Sequence, residues 1–124
     1  RDLHSFPTRR SSDLVQQVDA LAASLARRKR EIEQLTTSYS ARISAYNQDV
    51  AAFNQRATTG GFQTQAEFQA ERTRLSQRGL ALRREQQTIQ GKVDAYNTDV
   101  EKLNALGRKI DQLNQSLDSQ KAVK

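Results

Sequence analysis

The chain has 124 residues, a formal net charge of +6 and a hydrophobic content of 35%. It contains no Cys, no Met and no Trp, which excludes disulfide bonds and thiolate metal sites, and no apolar run approaches the roughly 20 residues that span a bilayer. This composition is typical of long helices with one apolar stripe, so we expect an all-α fold.

The first segment, Arg1 to Leu14, resembles one translated reading frame of a widely used sequencing-library adapter. We interpret it as a non-native artefact and leave it out of the fold prediction, the alternative being a natural basic leader peptide. It contains the single His of the chain, His4, and the single Pro, Pro7. Because no other His is present, the sequence predicts no catalytic, cofactor-binding or metal-binding residue.

An apolar pattern predicts the first helix over residues 15–57. Its steps alternate between three and four residues, as in a coiled coil. Two successive steps of four around Tyr39 form a stutter, which locally unwinds a supercoil. Arg28 is the charged member of the series, and its long stem can lie along the stripe with its charge in water. The series is Val18, Leu21, Leu25, Arg28, Ile32, Leu35, Tyr39, Ile43, Tyr46, Val50 and Phe53.

Residues 58–63 are predicted to form a turn. Gly60 and Gly61 are the one Gly-Gly pair of the sequence, and glycine supplies the positive φ that helix C-termini commonly need. Thr64 and Glu67 have the spacing of a capping box, which satisfies free amides at the start of a helix. Phe62, just before this box, is expected to pack on Phe68 as a hydrophobic staple.

The second helix is predicted over residues 64–121, with 122–124 as a frayed end. A strict seven-residue series occupies it: Phe68, Leu75, Leu82, Ile89, Tyr96, Leu103, Ile110 and Leu117. The intermediate positions are apolar in the second half (Val93, Val100, Leu106 and Leu113) and poorer in the first half (Arg72, Gly79 and Gln86). Each glycine inside the helix costs about 1 kcal/mol relative to Ala.

Neither helix is expected to stand alone in solvent. A solitary charged helix is supported by an acidic residue four positions before a basic one, and no acidic residue after Leu14 has a basic residue there. Folding back at Gly60 pairs residues whose numbers add up to roughly 121. Phe53 then meets Phe68, and Tyr46 meets Leu75.

The predicted fold is therefore an antiparallel two-helix coiled-coil hairpin with a Gly-Gly bend near residue 60. We define its seam as the apolar residues that would face each other: Val18, Leu25, Ile32, Tyr39, Tyr46, Phe53, Phe68, Leu75, Leu82, Ile89, Tyr96, Leu103, Ile110 and Leu117. In this pairing Ile110, Leu113 and Leu117 extend past the start of the first helix. We expect the native chain to begin at least about fifteen residues earlier, and we expect a protein partner or self-association at the unpaired end of the second helix.

A ten-residue pattern, Ala-Tyr-Asn-x-Asp-Val-x-x-apolar-Asn, begins at Ala45 and recurs fifty residues later at Ala95. The favoured interpretation is that a seam Tyr followed by Asn suits this helix pair, with Asn setting the register. A second interpretation is a recognition stripe formed by Asn47, Asn54, Asn97 and Asn104. A metal site at Asp49 and Asp99 is disfavoured, because the predicted register brings no second ligand near either carboxylate.

The Tyr-Asn repeat flanking a Gly-Gly-Phe bend resembles the N-terminal coiled-coil region of bacterial matrixin-like zinc metalloproteases. Within residues 15–124 the likeness is carried by about Ser40 to Asn114. It implies an extracytoplasmic, often membrane-anchored protein whose protease domain follows the coiled coil. The His-Glu-x-x-His zinc helix of that family has no counterpart here, so the resemblance transfers no catalytic residue and no cofactor.

The expected function is a non-catalytic spacer or interaction hairpin from a larger bacterial cell-envelope protein, with a matrixin-like protease stalk as the parent that the resemblance suggests. One alternative is a periplasmic adaptor hairpin of a secretion or efflux assembly. Another is a basic hairpin that binds nucleic acid, which we do not favour because Glu31, Glu33, Glu71 and Glu85 dilute the basic residues. Those basic residues are Arg27, Arg28, Lys29, Arg30, Arg72, Arg74, Arg78, Arg83 and Arg84.

Overall fold

A computed structural model describes the backbone of residues 6–123 and the side chains of residues 12–118. It consists of two α-helices, α1 (Phe6–Thr58) and α2 (Gln65–Val123), with contacts between them and no strand in the described range. The prediction of an all-α helical hairpin is confirmed.

The helix boundaries differ from the predicted ones at the two chain ends. Helix α1 begins at Phe6 instead of residue 15, inside the segment that the sequence analysis set aside, and Pro7 falls in its first turn, where proline is tolerated. Helix α2 continues to Val123, through most of the stretch predicted to fray. Residues 1–5 and Lys124 lie outside the described residues, so the predictions made for them stay predictions.

The bend is closed by a Schellman-type cap. Gly60 has a φ of 73°, and the Gly61 amide donates to the Arg56 carbonyl oxygen at 2.8 Å. Helix α2 then starts with Thr64 Oγ1 accepting a hydrogen bond from the Glu67 amide at 3.1 Å, which is the first half of the predicted capping box. The second half does not form, because the Glu67 carboxylate accepts from the Arg56 guanidinium instead.

The chain divides into two compact units, each built from both helices. The first comprises the residues up to Arg30 and those from Val93 onward, and the second comprises Glu31–Lys92. Leu25 is the buried hydrophobic residue of the first unit, while Leu75 and Leu82 are those of the second. A pair of helices without further layers leaves most of each apolar stripe partly in solvent, which explains why so few side chains are fully covered.

The seam residues are half-buried or buried in the described part of the chain, with the exception of Leu117, which is 47% exposed. In the first half of α2 the intermediate positions Arg72 and Gln86 are exposed. The residues before them, Glu71 and Glu85, are half-buried in their place. Basic side chains lie close to these carboxylates, and this attraction turns them towards the helix interface.

The pairing of Tyr46 corrects the predicted register. A Cβ built on Gly79 would lie 2.6 Å from the Tyr46 hydroxyl oxygen, so Tyr46 packs against Gly79, about one turn further along α2 than the predicted partner Leu75. The reason is space, since glycine is the residue of α2 that admits the phenol ring. Near the bend the predicted contact of Phe53 with Phe68 is confirmed, with ring centroids 5.4 Å apart.

Candidate interaction surface

Three phenylalanine rings form a cluster at the bend. Phe53, Phe62 and Phe68 contact one another with centroid separations of 5.3, 5.4 and 5.4 Å. The contact of Phe62 with Phe68 is edge-to-face at 84°, which confirms the predicted hydrophobic staple. Each such pair contributes about 0.5–1.5 kcal/mol beyond its buried area, so the cluster anchors both helices to the turn.

Arg56 joins the last turn of α1 to the first turn of α2. Its guanidinium carbon lies 4.3 Å from the centre of the Phe62 ring, its Nε donates to the Gly61 carbonyl at 3.2 Å, and its Nη2 donates to Glu67. The sequence analysis missed this residue. A signal was present, because a basic residue in the last turn of one helix and an acidic one in the first turn of the next complement both helix dipoles.

In the second unit, ion pairs connect the helices along one flank. We call the following set the ion-pair row: Glu31 with Lys92, Arg42 with Glu85, Asp49 with Arg78, and Arg56 with Glu67. The sign of the charge alternates at every step along α1, and it alternates in the complementary sense along α2. Every charge of the row thus faces its opposite.

The row specifies the register more than it adds stability. Its side chains are between 26% and 56% exposed, and exposed ion pairs contribute about 0–1 kcal/mol each. A slip of seven residues in one direction would bring Arg42 opposite Arg78 and Asp49 opposite Glu71. A slip in the other direction would bring Arg42 opposite Lys92. Because the signs alternate, either slip turns attraction into repulsion, and this penalty selects the observed pairing.

The first unit contains an ion pair of the same kind, between Arg28 and Asp99 at 2.6 Å. Its acceptor belongs to the repeated pattern: Asp99 corresponds to Asp49, and their partners Arg28 and Arg78 are likewise fifty residues apart. The repeat therefore encodes a carboxylate that receives an arginine from the opposite helix.

The four asparagines of the repeat, Asn47, Asn54, Asn97 and Asn104, are exposed. Setting the register falls to the aspartates, and the interpretation that assigned it to asparagine is wrong. The idea of an asparagine recognition stripe stays a prediction. The two aspartates form ion pairs, and the side chains that the structure describes include no cluster of three His, Cys, Asp or Glu that could hold a metal ion.

Tyr46 is held from two sides in the second unit. Gly79 lies against its hydroxyl, and the guanidinium carbon of Arg78 lies 5.5 Å from its ring centre while the same guanidinium donates to Asp49 at 2.6 Å. One Arg-Gly dipeptide of α2 thus receives both the ring and the carboxylate of the Tyr-Asn-x-Asp pattern. A cation–π contact at an exposed site contributes about 0.5–1 kcal/mol.

The basic residues do not form one uninterrupted patch. Arg28, Arg74 and Arg78 are neutralised by the carboxylates of Asp99, Glu71 and Asp49. The basic side chains that stay exposed are Arg27, Lys29 and Arg30 in the first unit and Arg72, Arg83 and Arg84 in the second.

Within α2, Arg74 donates to Glu71 at 2.8 Å. This hydrogen bond lowers the pKa of the Glu71 carboxyl and raises the pKa of the Arg74 guanidinium, and the charge of Arg56 lowers the pKa of Glu71 further. Glu71 is therefore ionised throughout the neutral range.

A shallow groove of about 190 Å³ opens beside the bend, and the charged groups along it are mutually paired: Arg74 with Glu71, Arg56 with Glu67, and Asp49 with Arg78. It presents paired charges to a solute rather than a lone cation or anion.

At the far end of the first unit, Ile110 and Leu113 are half-buried, whereas Val15 is 43% and Leu117 is 47% exposed. In the part of the chain that the structure describes, neither helix is long and apolar enough to cross a membrane. Comparison of the sequence and the structure with family models, curated proteins and solved structures gives no match.

Proposed function

We propose that the chain is a non-catalytic spacer or interaction hairpin of a larger bacterial cell-envelope protein, of the kind that forms the stalk of a matrixin-like metalloprotease. The observation that carries the proposal is the ion-pair row with its alternating signs. A spacer has to hold one register, and the row penalises both neighbouring registers by placing like charges together.

The ends of the second unit support the same role. At the bend, Arg56 and the three phenylalanines tie the turn to both helices, so the tip is held by contacts within the chain. The charged groups beside it are paired, which leaves the tip without the separate charged group that an acid–base catalyst requires.

Spin labels test the single register that a spacer needs. Labels on exposed Ser40 and Gln87 report the distance between the two helices of the second unit. A narrow, single distance distribution is expected, and it should broaden when Arg42→Glu and Arg78→Glu are introduced together. A broad or double-peaked distribution in the unmodified sequence would contradict the spacer function, because the register would then not be fixed.

Nucleic-acid binding remains a second candidate because Arg27, Lys29 and Arg30 stay exposed in one short segment. Phosphate contacts would make binding strongly salt-dependent. A mobility shift on duplex DNA that disappears in Arg27→Glu/Arg30→Glu, but persists in Arg28→Glu, would favour this candidate. The absence of any shift at low salt would dismiss it.

A further inference from the structure

The fifty-residue repeat extends well beyond its ten-residue pattern. Residues of α1 and their counterparts fifty positions later in α2 are identical at the positions that make the cross-helix contacts: Leu25 and Leu75, Arg28 and Arg78, Tyr46 and Tyr96, Asp49 and Asp99, Val50 and Val100. Other counterparts keep their character, as with Ile32 and Leu82 or Arg42 and Lys92. The two helices are thus two versions of one surface.

This equivalence has a geometric consequence in an antiparallel pair. Arg78 of α2 pairs with Asp49 of α1, and the counterpart of Asp49 in α2 is Asp99. An arginine at 78 is therefore complementary to an aspartate at 99 on a second, antiparallel α2. The relation is reciprocal, because Asp99 of the first copy then faces Arg78 of the second.

The other contacts transfer in the same way. Glu85 pairs with Arg42, whose counterpart is Lys92, so Glu85 is complementary to Lys92 of a second α2. Gly79 receives the ring of Tyr46, whose counterpart is Tyr96, so Gly79 of one copy has the space that Tyr96 of the other requires.

Helix α1 is less self-complementary. It keeps the charges, since Arg28 matches Asp49 and Glu31 matches Arg42, but the counterpart of Gly79 in α1 is Lys29. A tyrosine at 46 would meet a long side chain there instead of an open position.

We infer that the surface of α2 between Leu75 and Val100, which α1 covers in the hairpin, fits a second copy of this chain through an antiparallel α2–α2 pairing. The partner is chemically specified by three matches that repeat across a two-fold axis: arginine 78 to aspartate 99, glutamate 85 to lysine 92, and tyrosine 96 to glycine 79. Within one chain α1 wins this competition, since the short bend keeps it at a high effective concentration. The inference goes beyond the spacer function and concerns a different surface from the exposed end at Leu117.

The test uses the full chain and separates the two pairings by charge. The variant R78E/D99K reverses two charges on α2, so that both meet like charges on α1. It leaves α2 complementary to itself, since glutamate 78 of one copy then faces lysine 99 of the other. The expected result is a shift of the molar mass in solution from one chain to two, with the helical content retained.

A compensating variant shows that the charges cause this shift. In R28E/D49K/R78E/D99K the charges on α1 are reversed as well, which restores attraction within the chain. This variant is expected to return to the mass of a single chain, as is the control D19K/R27E, whose substitutions lie on exposed positions of α1 away from the helix interface.

A disulfide identifies the surface that pairs. With G79C and Y96C added to R78E/D99K, the two cysteines lie 17 residues apart on one helix, about 25 Å, which no disulfide spans. A disulfide between 79 of one chain and 96 of another is expected. The inference is overturned if R78E/D99K stays at the mass of one chain, folded or unfolded, or if it dimerises without forming this cross-link.

Discussion

The Tyr46 hydroxyl rests on the backbone of Gly79, so closely that a Cβ on Gly79 would come within 2.6 Å of it. From the sequence, Gly79 looked like a defect that weakens α2. In the structure it is the position that admits a ring from the opposite helix, and this contact shifts the pairing by about one turn from the register that apolar spacing predicts.

The first prediction compares three glycines of α2. Gly91 and Gly107 have nothing within 4 Å of an added Cβ, so Gly91→Ala and Gly107→Ala should raise the free energy of unfolding by about 0.5–1 kcal/mol through helix propensity. Gly79→Ala should lose this gain or reverse it, because the methyl group displaces Tyr46. Urea denaturation of the three variants measures the difference.

A double-mutant cycle isolates the cause in Gly79→Ala. When Tyr46→Leu removes the ring, Gly79→Ala should become as favourable as Gly91→Ala. If Gly79→Ala stabilises the chain equally with and without the tyrosine, the contact has no energetic weight.

The second prediction concerns Gly60, whose φ of 73° is strained for a residue with a Cβ. Gly60→Ala should lower the free energy of unfolding by about 1–2 kcal/mol, while Gly60→Asn should lower it less, because asparagine tolerates the left-handed region. Thermal unfolding of both variants measures this order. Equal stability of the alanine and asparagine variants would show that backbone handedness does not limit the bend.

The third prediction concerns Arg56. Arg56→Ala removes the contacts to Phe62, to the Gly61 carbonyl and to Glu67 together. We expect a loss of about 1–2 kcal/mol, since a charge-assisted hydrogen bond and a cation–π contact disappear at once. Arg56→Lys should recover part of the loss, because a lysine keeps the charge but cannot make the same three contacts. Faster amide exchange around Gly61 in Arg56→Ala would locate the effect at the bend.

The fourth prediction concerns the pairing of Arg42 with Glu85 in the ion-pair row. Arg42→Glu and Glu85→Arg should each destabilise the hairpin, and the two together should restore most of the loss. The coupling free energy is expected to be about 0.3–1 kcal/mol, and to shrink in 1 M salt because the pair is exposed. Chemical denaturation at low and high salt measures it. A coupling that does not depend on salt would point to packing instead of charge.

The fifth prediction follows from the lowered pKa of Glu71, whose main cause is the hydrogen bond from Arg74. A carboxyl with a lowered pKa in the folded state favours folding above its unfolded pKa and loses this contribution as the pH falls through the folded value. The wild type should therefore lose slightly more stability than Glu71→Gln between neutral and acid pH. Identical pH profiles of the two would show that the contact has no influence on folding.

The fold could be predicted from the sequence because its signals are local. The alternating three- and four-residue steps around Leu25, the Gly60-Gly61 pair and the Thr64 cap each specify an element from neighbouring residues alone. The contact of Phe62 with Phe68 was accessible for the same reason.

The missing parts depend on which residues face each other across the two helices. Charges such as Arg42 and Glu85 are unremarkable in either helix, and they acquire a meaning when the register is known. The register in turn depends on the shape of single positions such as Gly79. Apolar spacing does not reveal that shape, because it counts residues by hydrophobicity and is blind to the space that a missing side chain provides.

The left-handed residue at the bend bears on how such a chain could arise. The positions fifty residues after Gly60 and Gly61 are Ile110 and Asp111, and there α2 continues without interruption. Two related sequences therefore end differently: one reverses the chain, and the other runs straight on. In a gene that grew by doubling one helical segment, two glycine codons at the junction would suffice to turn a long single helix into a partner for itself.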